Sequence, residues 1–426
     1  MMFFRRLAAD FDPQVLIISL MTLVIMLGSS VLSPVLPLIA QEFGVSYAGA
    51  GVLVSAFALG RIPFDFIGGP LVDRFSPRLI ASGGAAIVAL SAVLSATAQS
   101  FHALLWYRFL GGVGSALFTI TAMAFLVRTV APQRMGQAMG FYQSMLLVGV
   151  SFGPGVGGLA ASFCSNLRAP FWAMAFLSAA VAMMGMRWIG EFPATPAAAE
   201  VAPIVGERAT SSAGLAQLLR DFTFCFVCLL TFLLFSIRSG VMLNLLPFFA
   251  QQKLGLSETG IGLTQSLCSV ANFCVLWHAG RLLDRVGRRR VTLVSLWITV
   301  LTILCFPQAT TPLLLIIASA IFGAVIGYLG PAPAAVIADV MPPGAAGTVM
   351  GLYRGAGDIG LLVGPVAVGW IAGHFGFDPA FIAIAGGTAF VALVGIGSRE
   401  TLRPVQAKAE PEVLVKRAGK PVTSSE

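Results

Sequence analysis

"AGRLLDRVGRRR" (residues 279–290) and "GGPLVDRFSPR" (residues 68–78) lie 211 residues apart and share a pattern. Each has a glycine, then an Asp-Arg pair, then further arginine. The first packs five arginines and one aspartate into its length, in a chain where charged residues make up only 10%. Both stretches follow long apolar runs. Charge of this density belongs where such runs leave hydrocarbon and meet water.

Working outward, the rest of the chain reads as membrane. It has 426 residues, 57% hydrophobic, with 47 Gly and 24 Pro. Its mean hydropathy is +0.90. A soluble protein of this length needs far more charged surface. Twelve apolar runs are long enough to span a bilayer. They are expected at 15–38, 46–69, 79–99, 103–127, 137–161, 169–189, 223–249, 258–280, 291–309, 313–337, 347–373 and 379–397. Gly and Pro within them suit membrane helices, whose neighbours satisfy the freed backbone groups. The fold class expected is an all-α integral membrane protein. The first run is long enough to be kept as a span, so no cleavable signal peptide is expected.

Charge sets the orientation. With the N-terminus cytoplasmic, 20 of the 26 Lys and Arg fall on the cytoplasmic side. Only Arg168 and Lys253 fall outside, and Arg61, Arg108, Arg238 and Arg354 fall within spans. That bias implies both termini inside and an even number of spans. The net charge of +8 then reflects loops beside anionic lipid and calls for no nucleic acid. Cys225 and Cys228 form a lone CxxC in a lipid-type sequence, read as helix packing. His102, His278 and His374 are scattered, so neither a metal nor a cofactor is expected.

The chain is written twice. At an offset of 211, Gly69 meets Gly280, Asp73 meets Asp284 and Arg74 meets Arg285. "MGFYQS" (139–144) meets "MGLYRG" (350–355), and Gly153-Pro154 meets Gly364-Pro365. Near the first span of each half the offset is 210, with "LPLIAQ" (36–41) meeting "LPFFAQ" (246–251). Copies running in one direction with six spans each make parallel repeats about an axis normal to the membrane. The expected domains are a first half at 1–190, a cytoplasmic linker at 191–222, a second half at 223–400 and a disordered tail at 401–426.

On these residues the chain resembles the major facilitator superfamily, in its twelve-span drug:proton antiporter branch. The loop signature G-x-x-x-D-R-x-G-R/K-R/K is met by Gly280, Asp284, Arg285, Gly287, Arg288 and Arg289. The first copy keeps Gly69, Asp73, Arg74 and Arg78 but has Ser76 and Pro77 where Gly and a basic residue are usual. The resemblance implies a gating latch at Asp73 and Asp284; a topology-setting basic turn is compatible with it. "RFLGGVGSA" (108–116) resembles the span-4 pattern, which gives Arg108 a functional role; snorkelling is the alternative. "GVSFGPGVGG" (149–158) resembles the span-5 pattern of proton-antiporting exporters through Gly149, Gly153, Pro154, Gly157 and Gly158. Small residues there permit close helix approach, and Pro154 kinks the helix.

Ionisable residues inside spans are functional candidates. Arg61 and Asp65 stand one turn apart on span 2, and Arg354 and Asp358 one turn apart on span 11. Either aspartate is a candidate proton carrier; two structural ion pairs are the plainer reading. Asp358 lies roughly 16 Å from the start of its run, near the bilayer centre. Arg238 has no acidic neighbour in span 7 and is assigned to the solute, with Arg108, Asn244, Gln143 and Tyr328 as further polar contacts. The positive interior suits an anionic or zwitterionic solute. No acidic residue occurs in span 1, where many drug antiporters carry one.

The function expected is a proton-coupled secondary transporter that exports a small organic solute from a bacterium across its inner membrane. It acts as a monomer, with protons, solute and lipid as its partners. A proton symporter taking up an organic anion is the alternative. A membrane-embedded enzyme is disfavoured, because no nucleophile–base constellation is present.

Overall fold

The computed structural model describes residues 13–130, 134–190, 220–340 and 346–401. Most of the expected linker and nearly all of the expected tail lie outside the described residues, as do the side chains of Asp65 and Asp73 and the surroundings of Gly69. Among the described residues, twelve helices are long and apolar enough to cross a membrane. Spans 1 to 6 are Pro13–Ser30, Tyr47–Arg74, Pro77–Ala96, Phe101–Thr129, Met135–Phe163 and Ala169–Trp188. Spans 7 to 12 begin at Phe222–Ile237 and continue as Glu258–Val286, Arg288–Cys305, Pro312–Leu329, Ala346–Phe375 and Phe377–Ile396.

The ends of these helices are finished from within the chain, as a bilayer requires. Ser100 and Thr311, repeat mates at the offset of 211, cap spans 4 and 10 by accepting from the backbone N–H of Ala103 and Leu314. The Asp221 carboxylate accepts from the N–H groups of Thr223 and Phe224 at the start of span 7. Gly190 N–H donates to Gln14 Oε1 at 3.0 Å, which sets the end of span 6 beside the start of span 1. Arg399 N–H donates to Thr223 Oγ1, which does the same for spans 12 and 7. Each half therefore begins and ends on one side, here called the terminal side.

The leading helix of each half is interrupted at matching positions. Span 1 breaks into a turn at 31–35, where Pro34 supplies no N–H, and resumes as Leu36–Glu42. Span 7 stays helical but widens into a π-helix over Arg238–Leu245 before continuing as Leu246–Leu254. The widening carries one extra residue. Before it the packing offset between halves is 209: Gly149 lies against the Leu23 carbonyl and Gly360 against that of Phe232. After it the offset is 210, from Leu36 to Leu246.

The halves meet through glycine. Gly262 of span 8 lies against the Pro154 carbonyl of span 5, and Gly51 of span 2 against the Pro365 carbonyl of span 11. Gly158 lies against the Glu258 carbonyl and Gly369 against that of Tyr47. Each pair maps onto its partner at the offset of 211. A Cβ at any of these four glycines would meet backbone that cannot give way. All four contacts lie toward the ends of spans 2, 5, 8 and 11 that point away from the terminal side.

Candidate functional site

Neutral hydrogen bonds reinforce these inter-half contacts. Ser33 Oγ donates to Gln265 Oε1 at 2.7 Å, and Gln265 Nε2 donates to the Met242 carbonyl at 2.6 Å. Ser55 Oγ donates to the Leu362 carbonyl at 2.6 Å, and Gly155 N–H to Ser266 Oγ at 2.7 Å. Tyr47 OH donates to Gln252 Oε1 at 2.6 Å. Asn244 is fully buried here. Its Nδ2 donates to the Pro365 carbonyl at 2.8 Å, and its Oδ1 is left without a partner.

Toward the terminal side the polar residues are more open. Gln143 and Arg354 are exposed, Asp358 is half-buried, and a Cβ added at Gly140 or Gly355 would find open space. Tyr142 is buried beside the Thr22 hydroxyl, within electrostatic reach of both Arg61 and Arg354. Tyr142 is thus a shared neighbour of two arginines from opposite halves that the sequence left far apart. Arg61 Nη1 points to Ser115 Oγ at 3.5 Å, and its Nε is buried without a partner.

Arg238 begins the π-helical turn. Its side chain is accessible, and Cys268 of span 8 is its electrostatic neighbour. Arg108 is buried, with its guanidinium 4.7 Å from the centre of the Phe57 ring and its Nε and Nη1 unpartnered. The ring face offsets part of the cost of burying that cation. Tyr328 OH lies 2.9 Å from His278 Nδ1, joining spans 10 and 8. His278 carries no motif, and only its polarity within an apolar run singled it out.

The opening stretch is tied down inside its own half. Arg288 pairs with Asp339, near the end of the Pro331–Val340 helix that follows span 10, at 2.6 Å, and with Asp284 at 3.6 Å. It also donates to the Ala335 carbonyl. The Glu400 carboxylate caps span 9 by accepting from Arg288 N–H at 2.9 Å and Arg289 N–H at 3.1 Å. Arg289 reaches the Ile396 carbonyl. Gly287 has φ 110°, a conformation that favours glycine, and a Cβ there would lie 2.6 Å from the Glu400 carboxylate, which would have to shift. Sequence reasoning found Asp284, Gly287 and Arg288 but missed Asp339 and Glu400. The signal available was that both are rare acids at the terminal ends of apolar runs.

Known proteins resemble this chain in sequence and in fold. The chain is 35% identical to the Bacillus subtilis "Uncharacterized MFS-type transporter YceJ" over 147 residues, 34% of this chain and 37% of that protein. It is 27% identical to the Streptococcus pneumoniae "Multi-drug resistance efflux pump PmrA" over 389 residues, 88% of this chain and 94% of that one. A crystal structure of a bacterial homolog to the human lysosomal transporter Spinster, inward-facing and occupied, superposes with a TM-score of 0.76 at 17% identity. That match covers 91% of this chain and 97% of the other. The family model described as Major Facilitator Superfamily matches residues 18–278 and 227–424. With two six-helix halves meeting across paired glycines, the chain belongs to the Major Facilitator Superfamily and is a multi-pass membrane transporter of small-molecule solutes.

Proposed function

We propose that the chain exports a small organic anion or zwitterion in exchange for protons. The observation that carries this reading is the sidedness of the contacts between halves. The described glycine contacts and hydrogen bonds between halves gather away from the terminal side, while Arg354 and Gln143 stay accessible. Such a state is open to the terminal side, where an exporter loads its solute. The Lys and Arg bias supports that side being the cytoplasm of a bacterium. Loading from the cytoplasm is the first step of export. The printed name of PmrA, an efflux pump, and the glycine–proline pattern of span 5 support the same direction.

Arg238 is the principal solute contact, with Arg108, Gln143 and Tyr328 as secondary ones; Asn244, expected among them, is in this state fully buried and held by its bond to the Pro365 carbonyl. An accessible guanidinium flanked by apolar helix recognises a carboxylate or phosphate by charge-assisted hydrogen bonds. Asp358 carries the proton and Arg354, one turn away, tunes it; Asp65 with Arg61 is the rival pair. Burial favours the neutral acid and a nearby guanidinium the carboxylate, so a small rearrangement transfers a proton. Asp73 and Asp284 latch the terminal side when it closes.

Inverted membrane vesicles with an acid interior test the reading, using labelled aryl carboxylates and fluoroquinolone zwitterions as probes. Exchange for protons accumulates a probe inside. Expulsion of a preloaded probe under the same gradient would instead establish uptake by symport, and no movement of any probe would remove the anionic and zwitterionic assignment.

A further inference from the structure

Spans 3 and 6 leave between them a groove of about 530 Å³, lined by none of the residues assigned to the solute or the proton. Its walls are apolar or small: Leu79, Gly83 and Ala86 from span 3, Ala182 and Met186 from span 6. One cation, Arg187, stands at its end, in the last turn of span 6. Arg78 stands next to Leu79 in the first turn of span 3, on the same terminal side. Both arginines are exposed, and among the described residues neither has an ion-pair or hydrogen-bond partner. Arg288 and Arg289 in the second half differ, because internal carbonyls and carboxylates occupy them.

We propose that this groove is a binding site for an anionic phospholipid, with one acyl chain against Gly83 and Ala86 and the phosphate between Arg187 and Arg78. The groove matches that ligand in three respects. Its walls take hydrocarbon. Among its described lining residues the only charge is positive, and it sits where a span meets the headgroup layer. Basic pockets between spans on the cytoplasmic side suit anionic headgroups. Gly83 leaves the groove open at its middle, since a Cβ there would meet nothing within 4 Å.

That open glycine supplies a clean test. Gly83→Leu fills the groove from a position where the added Cβ meets nothing within 4 Å, and improves the local helix propensity. The full chain, purified, is mixed with phosphatidylglycerol or phosphatidylcholine of identical chains, and retained lipid is counted by native mass spectrometry. Wild type is expected to prefer phosphatidylglycerol. Arg78→Gln and Arg187→Gln are each expected to cut that preference about fivefold, leaving phosphatidylcholine retention unchanged. Arg187→Lys should restore most of it. Gly83→Leu should lower retention of both lipids alike. Unchanged preference in the double Gln variant overturns the proposal. So does unchanged retention in Gly83→Leu, or a dimer that Gly83→Leu dissolves while lipid stays bound, which would make the groove an interface between copies of the chain.

Discussion

Gly262 lies against the Pro154 carbonyl, and its repeat mate Gly51 lies against the Pro365 carbonyl. The two contacts are one contact made twice, once on each flank of the central axis. Helix backbones approach this closely only where a side chain is missing.

Valine at either glycine should wedge its flank apart. Gly262→Val and Gly51→Val are expected to reduce transport by tenfold or more and to open the side away from the termini. Alkylation of a cysteine placed at Ser33 reads the opening. Transport at the wild-type rate in both variants would contradict the arrangement.

Gln265 joins Ser33 of one half to the Met242 carbonyl of its own. Gln265→Ala leaves buried polar groups without partners, at a cost of about 1–3 kcal/mol each. A lowered melting temperature and faster Ser33→Cys labelling are expected together. A melting temperature equal to wild type would show that water replaces the amide.

Removing the span 9 cap with Glu400→Ala should cost about 0.5–2 kcal/mol, the usual value for an N-terminal cap. Amide hydrogen exchange localises the effect to the first turn, at Arg288–Val291. Protection there that survives the substitution would assign the cap to another group.

Much of this molecule is legible in its sequence, and the reasons are physical. Hydrocarbon imposes long apolar runs, so all twelve spans could be located, and duplication exposed Asp73, Asp284 and the Gly-Pro pairs through a shared offset. The break at 31–35 and the π-helical turn at Arg238–Leu245 fell inside runs expected to be plain helix, because hydropathy is blind to backbone pairing. The Asn244 bond to Pro365 and the pairing of Tyr328 with His278 were beyond reach for a different reason. A polar residue in a span looks the same whether it faces solute or a neighbouring helix.

Arg238→Ala is expected to abolish binding and transport of an anionic solute while leaving the melting temperature within a few degrees. Arg238→Lys should retain part of the transport, since a point charge replaces a planar fork. Normal solute affinity in the alanine variant would remove Arg238 from the site.

Asp358→Asn should lose proton-driven transport and keep solute exchange at equal pH. Reconstituted vesicles separate the two by imposing or omitting a pH gradient. If Asp65→Asn alone shows that split, the proton belongs to span 2.

The π-helical turn has the character of a dislocation in a crystal. It is a surplus peptide held in a local fault, and the lattice on either side is regular. Such a fault moves by exchanging one hydrogen-bond partner at a time, from the fifth residue back to the fourth. Each residue it passes rotates by about 100° around the axis, one residue's share of a turn. Arg238 sits at the edge of the fault. A one-step glide would swing its guanidinium to another face while spans 8 to 12 stay still. Deleting Leu243 would anneal the fault into plain helix. The shortened protein is expected to fold with a near-native melting temperature and to bind solute without releasing it; turnover at the normal rate would show that the fault is static.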